Sequence, residues 1–274
     1  MRAIWTCRET FGAEENERRF YDRPTLQVYD RFNCRMSMTD VNTMTDRLAA
    51  LRSAMAQACL RAGRDASSVE LLPVSKTFSV DDIGQAQALG LTRFGENRMQ
   101  EVRDKAQLMG ESAPQWVIIG HVQTNKARDV ARYAAELQTL DRLALAEALD
   151  RRLQADGRTL DALVQVKTAV EPSKHGLAPD EVVAFLQGMA GYPTIRIRGF
   201  MTVATQSDDP QVVRACFARL RDIRDQSIAA GLIAQDATRL SMGMSGDFEL
   251  AIEEGSTEIR IGSALFGARD YPAT

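Results

Sequence analysis

Apolar and polar positions along this chain follow two periods, and from residue 46 onward the two alternate regularly. Over residues 46–61, Leu48, Leu51, Met55 and Cys59 recur at spacings of three and four, which predicts a helix with one buried face. Residues 69–76 read as a short apolar strand ending on Lys76, and a run this short suits a parallel strand covered on both sides. Ser79 and Asp82 form a capping-box pattern that opens a helix through Ile83, Ala86 and Leu89 and stops at Gly90. A strand at 92–95 leads to Glu96-Asn97, and a helix carrying Met99, Val102, Ala106 and Met109 stops at Gly110. Next come a strand at 115–120, a helix at 125–135, a strand at 137–140 and a helix burying Leu143, Ala146, Leu149 and Leu153. After the strand at 160–167, Pro179 opens a helix with Val182, Val183, Leu186 and Met189 inward. After the strand at 195–203, Pro210 opens another with Val213, Phe217, Leu220 and Ile223 inward. A strand at 239–242, a short helix capped by Ser245 and a strand at 258–261 complete the pattern.

Eight strand-like runs with a helix between each consecutive pair argue for an α/β fold with a parallel sheet and helical crossovers. Eight units in this length fit a single closed (β/α)8 TIM barrel, assigned to residues 38–274. A doubly wound open sheet is the alternative, but no G-x-G-x-x-G follows the first strand. Residues 1–37 show neither period. They mix Arg2, Arg8, Arg18 and Arg19 with Glu14, Glu15, Glu17 and Asp22, which suits neither a secretory signal nor a transit peptide. They read as a disordered extension or an over-called start, with Met36, Met38 and Met44 as alternative starts.

Composition narrows the function classes. The 274 residues are 45% hydrophobic and 26% charged, an ordinary globular balance. A net charge of −3 gives no electrostatic case for nucleic acid or an anionic membrane. No apolar run approaches the roughly 20 residues of a membrane span. Cys7, Cys34, Cys59 and Cys216 lack metal or disulfide spacing, and His121 and His175 are the only histidines. No metal site is therefore expected, and a reducing cytoplasm fits.

In such a barrel the chemistry sits at the C-terminal strand ends, and the loops after strands 7 and 8 often hold phosphate. Lys76 stands at the end of strand 1. Ser241-Met242-Gly243-Met244-Ser245-Gly246-Asp247 lies at strand 7, and Arg260-Ile261-Gly262-Ser263-Ala264-Leu265-Phe266-Gly267 at strand 8. Glycines admit a ligand close to the backbone, and serine hydroxyls and helix N-termini supply donors to an anion. Each feature alone has an ordinary reading: Lys76 as a surface lysine, the serine-glycine turns as helix caps. Together, an amine facing a phosphate cradle suits a phosphorylated cofactor that carries an aldehyde.

The motifs Val74-Ser75-Lys76-Thr77, Phe94-Gly95-Glu96-Asn97, Trp116-x-x-Ile119-Gly120-x-x-Gln123-x-Asn125-Lys126, Ser241-Met242-Gly243-Met244-Ser245 and Arg260-Ile261-Gly262-x-Ala264-x-Phe266-Gly267 closely resemble the YggS/PROSC family of pyridoxal phosphate homeostasis proteins. The resemblance runs from about residue 44 to Tyr271. It implies a barrel like the N-terminal domain of alanine racemase, with pyridoxal 5'-phosphate (PLP) as cofactor. It implies that Lys76 carries a Schiff base, that Arg260 faces the pyridine nitrogen, that Gly262, Ser263, Ser241 and Ser245 surround the phosphate, and that Asn97 lies on the ring side. On residue grounds alone the favoured readings are the ordinary ones: Arg260 as an outward arginine, Asn97 as a helix cap, and Gln123 with Asn125-Lys126 as a turn with a surface lysine. The chain departs from the family pattern at Val117 (usually histidine), Lys167 (usually asparagine) and Ser263 (commonly threonine). Ser173-Lys174-His175-Gly176 resembles the family's lysine-x-glycine turn, which makes His175 a loop residue rather than a base.

An arginine at the pyridine nitrogen disfavours protonation there and weakens the cofactor as an electron sink. The resemblance thus implies a carrier that stores PLP, takes part in its homeostasis and passes it to PLP-dependent apo-enzymes, with no catalytic residue of its own. A cytoplasmic monomer is expected. The alternative is a PLP-dependent amino-acid racemase. Similar racemases draw a second base from a β-rich domain, for which a chain stopping at Thr274 leaves no room.

Overall fold

The first strand sets the frame. β1 (Glu70–Pro73) is only four residues long and pairs in parallel with β8 (Glu258–Ile261), Leu72 standing opposite Arg260. A computed structural model of the chain describes residues 43–169 and 175–267. The stretch 1–37, Ser173-Lys174 and Tyr271 lie outside the described residues. From β1 the sheet runs through β8, β7 (Arg239–Ser241), β6 (Ile195–Met201), β5 (Leu160–Gln165), β4 (Ala134–Leu140) and β3 (Gln115–Ile118) to β2 (Arg93–Glu96), every pair parallel. A parallel bridge between Val74 and Gly95, with the Ser75 N–H donating to the Gly95 carbonyl at 3.0 Å, joins the two ends of the sheet into a ring. This is the expected (β/α)8 barrel.

Among the described residues, eight helices cover the outside: α1 (Met44–Arg61), α2 (Val80–Ala88), α3 (Met99–Met109), α4 (Ala127–Tyr133), α5 (Leu143–Ala155), α6 (Val182–Met189), α7 (Pro210–Ala229) and α8 (Phe248–Glu253). A single turn, α9 (Ser263–Phe266), follows β8. Their inward faces and the outward faces of the strands make one apolar layer containing Leu51, Ile83, Phe94, Leu149, Phe200, Phe217 and Ile259. The capping box read at Ser79 and Asp82 is present at α2. Three local expectations need correcting. Ala134 and Ala135 lie in β4, not in a helix, because Ala134 pairs with Trp116 of β3 and sheet pairing overrides alanine's helix propensity. In α5 and α6 one residue of each expected face turns outward: Leu143 and Val183 are exposed, while Ala146, Leu149, Leu153, Val182, Leu186 and Met189 are buried as expected, joined by Leu145 and Phe185. Ser245 does not cap α8; Asp247 holds that position, and its carboxylate accepts the Met244 N–H.

The lumen is polar, and its layout decides the chemistry at the mouth. Alternate residues of a strand share a face, so Glu136 and Gln138 of β4, Arg239 and Ser241 of β7, and Glu258 and Arg260 of β8 come in pairs. Arg93 of β2 contacts Glu70 at 2.6 Å, Glu136 at 2.9 Å and Glu258 at 3.0 Å. Arg239 pairs with Glu136 and, at 2.7 Å, with Glu258. The Gln138 side-chain amide donates to both Glu136 and Glu258.

Candidate functional site

The site is built outward from this lumen. Carboxylates only accept, so the two glutamates fix the Gln138 NH2 toward themselves and turn its Oε1 away. That oxygen meets the Ser241 hydroxyl at 2.7 Å. Ser241 Oγ is also 2.8 Å from Arg260 Nη1. A guanidinium only donates, so the serine accepts from Arg260 and gives its one proton to Gln138. Arg260 Nη2 donates to the Thr202 carbonyl at 2.7 Å. The arginine is thus held rigidly, 4% exposed, one layer above the Arg–Glu cluster. Burial pushes its pKa down to about 10, with Glu258 and Asp247 opposing, so it remains a cation at neutral pH. Two of its five N–H groups are engaged by these bonds and three are not. Arg260 is therefore not the outward-facing arginine of the ordinary reading.

This geometry corrects one expected role. Ser241 is fully buried and its proton is committed to Gln138, so it has none to give a phosphate. Ser263, by contrast, is exposed in the first turn of α9, where backbone N–H groups lack intrahelical partners, and Ser245 is half-buried in the loop before α8. Gly262 is buried at the N-cap of α9. Gly243 shapes the first of these loops. Its φ is +97°, and an added Cβ would lie 2.6 Å from the Ala251 Cβ and 3.0 Å from the Phe248 Cα, so only glycine lets α8 pack this close.

Lys76 is half-buried in the turn just beyond β1. The Ser75 carbonyl accepts the Phe78 N–H at 3.0 Å, and the Phe78 ring stacks on Phe266 of α9 at 4.7 Å. The loops after β1 and β8 are thereby packed together. Arg47 of α1 ties down the far side of α9, its Nε donating to the Leu265 carbonyl at 2.7 Å. Asn97 is half-buried after β2. It does not cap α3, whose N-cap residue is Arg98. Gly120 fits directly against it: a Cβ there would fall 2.1 Å from the Asn97 carbonyl oxygen. Gln123, Asn125 and Lys126 form the turn that their ordinary reading describes.

A cavity at the ends of β3, β5 and β6 was not read from the sequence. It is lined by Ile119, His121, Gln165, Val166, Lys167, His175 and Val203. The His121 and His175 rings stack at 4.0 Å and 15°. Burial, then His175, holds the His121 imidazole below its ordinary pKa, with Asp141 pulling the other way. The signal was present in Lys167 and His175, but the two histidines lie far apart in the chain, and only the barrel brings them together. Among the described residues no group of histidine, cysteine, aspartate and glutamate could hold a metal ion.

An amine at β1, a buried cation with spare donors at β8, and two hydroxyl-bearing loops at β7 and β8 fit a PLP molecule. The comparisons with known proteins agree. The family model described as "Alanine racemase, N-terminal domain" matches residues 47–270. The pyridoxal phosphate homeostasis protein of Pseudomonas aeruginosa is 37% identical over 233 residues, 85% of this chain and 99% of that protein. The structure of PipY from Synechococcus elongatus with PLP bound superposes with a TM-score of 0.72 at 34% identity, covering 82% of this chain and 100% of that one. An alanine racemase from Clostridium difficile shares the fold alone, with a TM-score of 0.66 at 14% identity over 83% of this chain and 58% of its own.

Proposed function

Because this chain belongs to the family of pyridoxal phosphate homeostasis proteins, built on the alanine racemase N-terminal domain, we propose that it binds PLP at the C-terminal mouth of its barrel and takes part in PLP homeostasis. The bound cofactor supplies an aldehyde that condenses reversibly with an amine. Lys76 is the amine, held as a Schiff base. Gly262, Ser263 and Ser245 receive the phosphate, Asn97 lies beside the ring, and Arg260 donates to the pyridine nitrogen. Ser241 acts one step back, by fixing Arg260.

The observation that carries this reading is Arg260. It is a buried, protonated donor with three N–H groups to spare, on the strand paired to β1. A permanent cation facing the ring nitrogen opposes its protonation. This favours storage over turnover, and we propose that the protein has no catalytic activity of its own. Solvent-deuterium exchange at Cα across a panel of amino acids tests this; exchange above the free-cofactor rate would favour the racemase reading. The same reading takes the protein to be a cytoplasmic monomer that passes PLP to apo-enzymes. No helix among the described residues is long and apolar enough to cross a membrane. For the site itself, Lys76→Ala should abolish the visible absorbance that the protein gains with PLP. Retention of that absorbance would remove Lys76 from the site.

A further inference from the structure

Thr77 is the one non-glycine among the described residues with a positive φ, +70°. With the Ser75 carbonyl bonded to the Phe78 N–H, Lys76 and Thr77 are the central residues of a type II turn. That turn calls for glycine or asparagine at the Thr77 position, and a β-branched residue there is strained. Thr77 is exposed, so burial does not offset the strain. Such conformations persist only where the surroundings over-determine them.

Here the surroundings do so from a single helix face. The Thr77 N–H donates to Glu101 Oε2 at 3.1 Å. Lys105, one turn further along α3, donates its Nζ to the Ser75 carbonyl at 2.8 Å and to Glu96 Oε1 at 2.6 Å. Glu96 Oε1 also accepts the Ser75 hydroxyl at 2.7 Å. Lys105 Nζ lies 3.7 Å from Glu101 Oε2, which links the two anchors. Glu96 is fully buried and Lys105 is 8% exposed, so this pair is shielded from solvent. Residues on both sides of Lys76 are pinned, and the Glu101 contact adds nothing to the sheet.

We propose that Glu101 and Lys105, with Glu96, are positioning residues for Lys76. They hold the strained turn so that the lysine amine meets the aldehyde in one geometry, an inference that rests on reading Lys76 as the acceptor of PLP. In that step the amine nitrogen forms a C=N bond to the aldehyde carbon and one water leaves, with no oxidant or reductant. A misplacement of about 1 Å in such a step costs up to about a hundredfold in rate.

The test compares Glu101→Leu in two backgrounds, native and Thr77→Gly, in the full chain. With Thr77 present, Glu101→Leu should slow the rise of visible absorbance on adding PLP about tenfold. It should also speed hydrogen exchange of the Thr77 amide, measured without PLP. In the Thr77→Gly background the positive φ carries no strain, and the same substitution should slow the reaction less than about twofold. A general loss of stability would slow both backgrounds equally, and that result overturns the proposal. So does unchanged Thr77 exchange, or faster exchange with an unchanged rate. Native protein that shows Thr77 protection but forms no adduct at Lys76 rejects the reading of the site, and the positioning role with it.

Discussion

Two serines of similar sequence context come apart at the scale of single residues. Ser241 and Ser263 both stand near glycines at strand ends, and the sequence offers no way to tell them apart. Ser241 is tied to Gln138, 103 residues away, and no local pattern announces that partner. Its truncation to alanine leaves Gln138 Oε1 without a donor and Arg260 Nη1 without an acceptor, both buried. Ser241→Ala should therefore cost about 1–3 kcal/mol of stability in urea unfolding, and should weaken PLP binding as Arg260 loosens. Ser263→Ala, exposed and without such partners, should leave the unfolding midpoint in place and weaken PLP binding alone, by about tenfold for one charge-assisted hydrogen bond. Strand order alone placed Lys76 at the mouth, whereas the inward position of Arg260 came only from the family resemblance.

At the scale of elements, the strands were readable and their cargo was not. The period-two pattern Glu258-Ile259-Arg260-Ile261 marks a strand with one polar face. It does not say that this face meets Glu136, Gln138, Arg93 and Arg239 from three other strands. Helix faces read from spacing hold in α5 and α6 except at Leu143 and Val183, since several apolar residues there compete for the same stripe. The polar lumen has a consequence for acid stability. Burial pushes the Glu258 carboxyl up, but Arg239 and Arg93 outweigh it and hold the group below its ordinary value. A carboxyl depressed on folding stabilises fully above its unfolded pKa of about 4.3, and that stability is lost as pH falls through the folded value. Glu96 works in the opposite sense, because burial raises its pKa even against Lys105. Urea unfolding from pH 7 to 3 should therefore show native protein losing stability below about pH 4.5. Glu258→Gln should flatten that limb and cost up to about 3 kcal/mol at pH 7, by leaving two half-buried arginines, Arg93 and Arg239, short of a carboxylate. An acid limb of unchanged slope in Glu258→Gln would remove this residue as its source.

At the scale of the whole molecule, the alternation of eight strands and eight helices fixed the architecture, and the bridge from Val74 to Gly95 completes it. Closure is what turns four-residue strands, too short to argue for singly, into a rigid frame. It sets Lys76, Arg260 and the two serine-glycine loops around one mouth. It also gathers His121, Lys167 and His175 at the same rim, a grouping that depends on the ring and so could not be read from any segment. The proposed function rests on the combination of a turn-held amine, a buried cation and the two serine-glycine loops proposed to receive the phosphate, with family membership identifying the ligand. Mass spectrometry of the PLP-loaded, borohydride-reduced full chain, with the adduct mapped to a peptide, tests that combination most directly. The expected result is one phosphopyridoxyl group, on Lys76. An adduct confined to other lysines, or none in protein that has bound PLP, would contradict it.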